Sequence, residues 1–104
     1  MLIKTFKPND IVTLKLITGE EIITKLISTE DNFYKVNKPL VLSMTQQGPA
    51  MTPFLLTAEL EAEITLPKTS VIAMAKTESS TSNHYIKGTT GIEPATTSDF
   101  TKLV

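Results

Sequence analysis

The sequence predicts an all-β fold, a small and strongly bent antiparallel barrel or open sheet of five strands. Apolar and polar residues alternate with a period of two along residues 12–16, and the alternation resumes over residues 22–26. Clusters of turn-forming residues then separate three further apolar stretches. Five strands joined by short turns are typical of a small barrel, and an uncovered edge of such a barrel tends to pair with another chain.

The first two strands are predicted to form a hairpin around Gly19, because glycine adopts positive φ without steric cost. A two-residue loop would place Leu16 opposite Glu21. A three-residue loop over residues 18–20 places Leu16 opposite Ile22. Because one slip of register exchanges the two faces of a strand, we predict the three-residue loop. The other face of this hairpin is also partly apolar, and we expect a terminal segment or another subunit to cover it in places.

A third strand is predicted over residues 33–44, with Pro39 inside it. Proline cannot donate to a β-ladder, so Pro39 indicates an edge, a bulge or a break. The residues expected to point inward are Leu40, Leu42 and Met44.

Residues 51–66 are interpreted as one long, bent strand that begins late if Pro53 delays it. A short helix over residues 57–63 is the alternative, since alanine, leucine and glutamate are good helix formers. A tight turn over residues 67–70 and a final strand over residues 71–75 complete the predicted barrel.

The chain has 104 residues, which corresponds to one domain. Residues 1–76 are assigned to the barrel, and residues 77–104 to a partly ordered tail rich in serine and threonine. A short helix over residues 80–87 is possible in this tail, with Gly88 as its C-terminal cap. The residues that could dock the tail onto the barrel are Tyr85, Ile86 and Ile92.

Composition excludes several kinds of site. The chain has no cysteine, which rules out disulfides and thiolate metal sites, and its single His84 argues against a histidine metal site. Neither a metal nor a cofactor is therefore expected. All ten basic residues are lysines and the formal net charge is −1. This composition counts against avid nucleic-acid binding, because arginine is the side chain that forms paired hydrogen bonds with phosphate and guanine. No apolar run approaches the ~20 residues of a membrane span, and we expect a cytoplasmic protein without a membrane partner.

Catalysis is not expected either. Ser28, Asp31 and His84 have the residue types of a hydrolase triad, but no nucleophile elbow accompanies them. Three glutamates share one strand face by their spacing: Glu59, Glu61 and Glu63. We interpret them as a solvated face, because a hard-cation site needs oxygens that converge from several segments.

Two patterns resemble the motifs of the Sm-like (LSm) family. Residues 12–26 follow VxLxLxxGxxIxxxL, which is similar to the first Sm motif, and residues 66–74 are similar to the second, a strand, a tight turn and a strand. The likeness covers residues 10–76. The segments ITLPKTSVIAM, residues 64–74, and YIKGTTGI, residues 85–92, resemble small Sm-like proteins of tailed phages.

This resemblance implies a homo-oligomeric ring of strongly bent five-stranded barrels joined edge to edge. We expect the strands near Ser43 and Val71 to pair between subunits. The resemblance also implies binding of uridine-rich or adenine-rich single-stranded RNA in loops that face the pore. By likeness to the bacterial Sm-like RNA chaperone, Asn32 and Phe33 correspond to a polar-aromatic pair that stacks a base. The Lys-His pair of its last turn falls on Lys68 and Thr69.

The chain also departs from the family pattern. The Arg-Gly of the second motif falls on Pro67 and Lys68, and the glycine that bends the second strand falls on Thr24. An alternative function therefore stays open, an oligomeric interaction or assembly module that does not bind RNA. In that alternative, the tail would face a protein partner.

Overall fold

A computed structural model describes residues 6–59 and 61–90. It contains six strands, a 3-10 turn at Lys68–Ser70 and one helix. The strands are β1 Ile11–Leu16, β2 Glu21–Thr29, β3 Phe33–Thr45, β4 Gly48–Pro53, β5 Glu63–Pro67 and β6 Val71–Lys76, and the helix is α1 Ser79–Thr90. All pairings are antiparallel, in the order β4-β3-β2-β1-β6, with β5 on β3. The all-β class is confirmed, whereas the count of five strands is wrong, and the sheet is not closed.

Strands β4 and β5 lie on successive lengths of the same side of β3. Strand β4 pairs with residues 40–45 and β5 pairs with residues 33–37. The predicted continuous strand over residues 51–66 is therefore wrong, and so is the alternative helix over residues 57–63, because the described residues between β4 and β5 are irregular. Asn37 explains part of this interruption, since its side-chain amide donates to the carbonyl oxygens of Glu61 and Ala62, each at 3.1 Å.

The β1–β2 hairpin keeps the predicted faces with a different register. Leu14, and not Leu16, lies opposite Ile22. The loop has three residues, but they are residues 17–19: Leu16 N donates to Glu20 O and Gly19 N donates to Leu16 O, both at 2.9 Å. Gly19 has φ 104°, as expected for the residue that ends a three-residue hairpin loop. Because side chains alternate between the two faces of a strand, a displacement of two residues leaves the same side chains pointing inward.

The sheet buries apolar side chains on both faces. The inner face holds one cluster: Val12, Leu14, Leu16, Ile22, Leu26, Val36 and Leu66. The outer face holds a second cluster: Ile23, Leu40, Met51 and Tyr85. Because Tyr85 belongs to α1, the expectation that a terminal segment covers the second face is confirmed.

The predicted inward set of the third strand needs correction. Leu40 is buried and Leu42 is partly buried, but both belong to the outer cluster. Met44 is 77 % exposed, because β2 begins at Glu21, which pairs with Leu42 and leaves Met44 beyond its end. Ser43 pairs with Ala50 of β4 on one side of β3, and pairing of the strands near Ser43 and Val71 between subunits stays a prediction.

Pro39 marks a bulge, one of the three predicted possibilities. Ile23 pairs with Leu40 and Lys25 pairs with Asn37, so Lys38 and Pro39 together face Thr24. Lys38 has φ 54°, and a bulge of this kind bends its strand. The bend therefore arises on β3, across from the position where the Sm-like pattern has a glycine on the second strand.

Helix α1 begins earlier and ends later than predicted. The carboxylate of Glu78 accepts hydrogen bonds from the backbone amides of Ser80 (3.1 Å) and Thr81 (3.0 Å), which satisfies amides that have no partner inside the helix. The predicted cap at Gly88 is wrong because the helix continues through it. Tyr85 docks as predicted and is 1 % exposed, whereas Ile86 is 39 % exposed and Ile92 lies outside the described residues.

Candidate nucleic-acid interface

The four residues predicted to bind RNA lie together at one end of the sheet. Asn32 precedes β3 and Phe33 opens it, while Lys68 and Thr69 form the turn after β5. The backbone amide of Lys68 donates to the carbonyl oxygen of Asn32 at 2.9 Å. Pairing of β3 with β5 therefore brings two distant parts of the sequence into contact. We call these four residues the turn surface.

Phe33 of the turn surface and its neighbour Tyr34 face opposite sides of β3. Tyr34 pairs with buried Leu66 and packs against the inner cluster. Phe33 is half-buried and, among the described residues, is not part of the packing around either cluster. Adjacent residues of a strand point to opposite faces, so the Phe33 ring lies on the outer face. Tyr34 is thus structural, while Phe33 retains accessible ring surface.

Lys68 is held in place by the ring of Tyr34. Its ammonium nitrogen lies 5.3 Å from the ring centroid, within the range of a cation–π contact. In the described part of the chain Lys68 makes no ion pair, whereas Lys35 pairs with Glu63 at 3.8 Å. The turn itself is fixed by Ser70, whose hydroxyl donates to the carbonyl oxygen of Pro67 at 2.7 Å. The turn surface therefore combines one oriented cation, one accessible ring, and the exposed side chains of Asn32 and Thr69.

Other sequence-predicted residues take separate roles. Two of the three glutamates interpreted as a solvated face pair with lysines: Glu61 with Lys38 at 3.3 Å and Glu63 with Lys35 at 3.8 Å. Across residues 6–59 and 61–90, no group of three or more histidine, aspartate or glutamate side chains could hold a metal ion. His84 lies on α1, while the hydroxyl of Ser28 donates to Glu30 at 2.7 Å.

Sequence reasoning missed a cleft between α1 and the β3–β4 hairpin. It has a volume of about 210 Å³, and it is lined by Leu42, Pro49, Met51, Thr81 and His84. The sequence offered one signal for it, the spacing of Thr81 and His84, which places them on one helix face. That signal was weak because the helix bounds were not fixed.

The helix in the described part of the chain is too short and too polar to cross a membrane.

Comparisons with known proteins leave the family open. No protein-family model matches the sequence, and no curated protein matches it significantly.

Proposed function

We propose that the chain forms a homo-oligomeric ring of Sm type that binds single-stranded RNA at the turn surface. The observation that supports this proposal is the backbone hydrogen bond from Lys68 to Asn32, which brings the turn that carries an oriented cation next to the start of β3, where Phe33 lies. Single-strand binders combine these two features, a cation for the backbone and a ring for the bases.

Each residue of the turn surface has a distinct role in this proposal. The Phe33 ring stacks one base, the Lys68 ammonium contacts a phosphate, and Asn32 and Thr69 supply hydrogen-bonding side chains. One subunit offers only a weak set of contacts, and its net charge is −1. A ring presents the same set several times around one axis, so several weak contacts act on one strand.

Strand β4 is poorly suited to pair with another subunit. Phe54 N donates to Pro39 O at 3.0 Å, and antiparallel hydrogen bonds recur at every second residue. The backbone groups of Pro49, Met51 and Pro53 therefore point away from β3. Two of these three residues are prolines and lack a backbone N–H, so the outer edge of β4 offers a single hydrogen-bond donor there, the amide of Met51.

Strands β5 and β6 present more complete edges. The hydrogen bond from Lys68 N to Asn32 O sets the alternation along β5. The backbone N–H and C=O groups of Glu63 and Thr65 therefore point away from β3. The hydrogen bond from Thr77 N to Ile11 O at 3.2 Å likewise means that the backbone groups of Met74 and Lys76 point outward from β6. An antiparallel pairing of β5 with β6 of a neighbouring subunit would place Glu63 opposite Lys76 and Thr65 opposite Met74. Opposite charges directly across two strands favour this register.

Light scattering at micromolar concentration tests the ring. We expect a mass several times 11.4 kDa, and a clean monomer would refute the assembly. Glu63→Lys and Lys76→Glu should each weaken the oligomer, because each places like charges across the interface. The double variant should restore it. Failure of the double variant to recover would exclude this register.

RNA binding is tested with twelve-nucleotide uridine-rich and adenine-rich strands by fluorescence anisotropy. The assembled protein should bind weakly, with affinity that falls as salt rises. Lys68→Ala should weaken all sequences alike and flatten the salt dependence, because a phosphate contact releases counterions without reading bases. Phe33→Ala should cost about 1–3 kcal/mol per stacked base without lowering the melting temperature. Lys15→Ala removes the same charge at an exposed position of β1 and is the control.

The second candidate function is an assembly module that does not bind RNA. Ile72, which is 63 % exposed on β6, favours it because an apolar side chain beside an open strand edge suits a protein partner. Absence of RNA binding by the wild-type oligomer at low salt, where electrostatic affinity is greatest, would replace the first function with this one.

A further inference from the structure

We infer that the cleft between α1 and the β3–β4 hairpin binds a small ligand that carries one planar ring and one anionic group. This helix cleft has a volume of about 210 Å³. An apolar cavity of about 150 Å³ is large enough to bind benzene, so the helix cleft can hold one ring. Its sheet side is apolar and consists of Leu42, Pro49 and Met51.

Two polar residues of α1 form the opposite wall. Thr81 can offer its hydroxyl group to a ring substituent, and His84 can lie against the ring, as histidine does with nucleic-acid bases. The sulfur of Met51, which is 6 % exposed, is a favourable neighbour for an aromatic edge. The cleft therefore suits a flat ring better than a flexible chain.

An anionic group would lie in a second depression that adjoins the helix cleft. This depression also measures about 210 Å³ and is lined by Ser80, Asn83, His84 and Lys87. His84 lines both spaces, so the proposed ligand would pass over the His84 side chain, with its ring on one side and its anion on the other. The hydroxyl of Ser80 is already bonded to Glu78 at 2.8 Å.

The anion is therefore assigned to Lys87 and Asn83. Lys87 makes no ion pair with any residue that the structure describes. Nucleoside monophosphates and aromatic carboxylates share this combination of a ring and an anion. The inference does not depend on RNA binding at the turn surface, which lies at the start of β3.

Amide chemical shifts of the full chain test the inference with five probes. The probes are uridine monophosphate, uridine, benzoate, phenol and inorganic phosphate. We expect shifts around His84 with uridine monophosphate, with benzoate, or with both, and the responding probe identifies the source of the ligand. Removal of the anion should weaken binding roughly two- to fivefold, as for an exposed ion pair. Shifts with neither anionic ring compound, or equal affinity for each compound and its uncharged partner, would overturn the inference.

Three variants separate this site from the turn surface. Lys87→Ala should reduce the affinity for uridine monophosphate, measured at His84, to that for uridine, whereas Lys15→Ala, which removes the same charge at an exposed position of β1, should leave it unchanged. Thr81→Met should fill the cleft and abolish ring binding, with helicity checked by circular dichroism. Unaltered ligand shifts in the folded Thr81→Met variant would contradict the assignment. RNA binding that is lost in Lys68→Ala while free nucleotides fail to bind would overturn this inference alone and leave the proposed function standing.

Discussion

The two faces of the sheet are held together in different ways. Among residues 6–59 and 61–90, the inner face buries seven apolar side chains contributed by β1, β2, β3 and β5. Within the same ranges the outer face buries four, of which Tyr85 comes from α1. Polar contacts support this second packing: the Tyr85 hydroxyl donates to the carbonyl oxygen of Lys38 at 2.7 Å, and the Lys38 ammonium donates to that of Thr89 at 3.1 Å. Buried area stabilises the inner face, whereas a few directed hydrogen bonds position the helix on the outer one.

The β3 bulge is what makes those directed bonds available. Backbone groups in a bulge lose their ladder partners. At this bulge, Thr24 donates its hydroxyl to Asn37 O at 2.7 Å, and Tyr85 satisfies Lys38 O. Burial raises the pKa of Tyr85 well above its usual value, so the phenol stays protonated and remains a donor. The helix and the bulge therefore depend on each other.

Truncation of the inner cluster should have the largest effect. Leu14 is fully buried, so Leu14→Ala should lower the free energy of unfolding by about 2–5 kcal/mol through lost burial and a cavity. Denaturant unfolding measures this. Leu56→Ala makes the same chemical change at a residue that is 83 % exposed and should stay within about 0.5 kcal/mol of wild type. Similar losses in both variants would show that the inner face is not the main core.

Removal of the helix anchor should have an intermediate effect. Tyr85→Phe keeps the ring and leaves the partly buried carbonyl oxygen of Lys38 without its donor, which should cost about 1–3 kcal/mol. The loss should be local: helical circular dichroism should melt before the sheet does. Coincident melting of helix and sheet at the wild-type temperature would show that the hydroxyl does not hold α1.

The smallest effect is expected from acidification. Hydrogen bonds from the Thr81 and Ser80 backbone amides and hydroxyls lower the pKa of Glu78 to about 2. Because the folded-state pKa is lower than the ordinary value of 4.5, the stabilisation is complete above about pH 4.5 and is lost as the pH falls toward 2. Helicity should decline over that window, and Glu78→Gln should remove this step. Glu59→Gln, at another exposed glutamate, should retain it.

Each sequence pattern predicts only the structural feature that it encodes. Alternation fixes which face a residue occupies, so the inner set of the hairpin was predictable even though the register was wrong by two residues. Alternation carries no information about a bulge, and this is why Leu40 was placed on the wrong face. The break between β4 and β5 was missed for a similar reason, since the Asn37 contacts that support it are made by a residue of another strand.

The candidate site was predictable in part. The turn residues before β3 and after β5 could be named from the resemblance, and the structure brings them into contact. The cation–π contact of Lys68 with Tyr34 could not be named, because it depends on the pairing of β3 with β5. The helix cleft could not be named, because the docking of Tyr85 was predicted but the position of α1 beside the β3–β4 hairpin was not.

The irregular segment between β4 and β5 has a consequence for protein engineering. Each flanking strand pairs with β3 independently of the other. One end of the segment is fixed by the hydrogen bond from Phe54 N to Pro39 O. The other end is fixed by the hydrogen bonds that the Asn37 side-chain amide donates to it. Its length is therefore uncoupled from the alignment of the sheet. Doubling a flexible loop costs only about 0.6 kcal/mol, so the exposed stretch at Leu56 and Thr57 is a permissive site for displaying a foreign peptide.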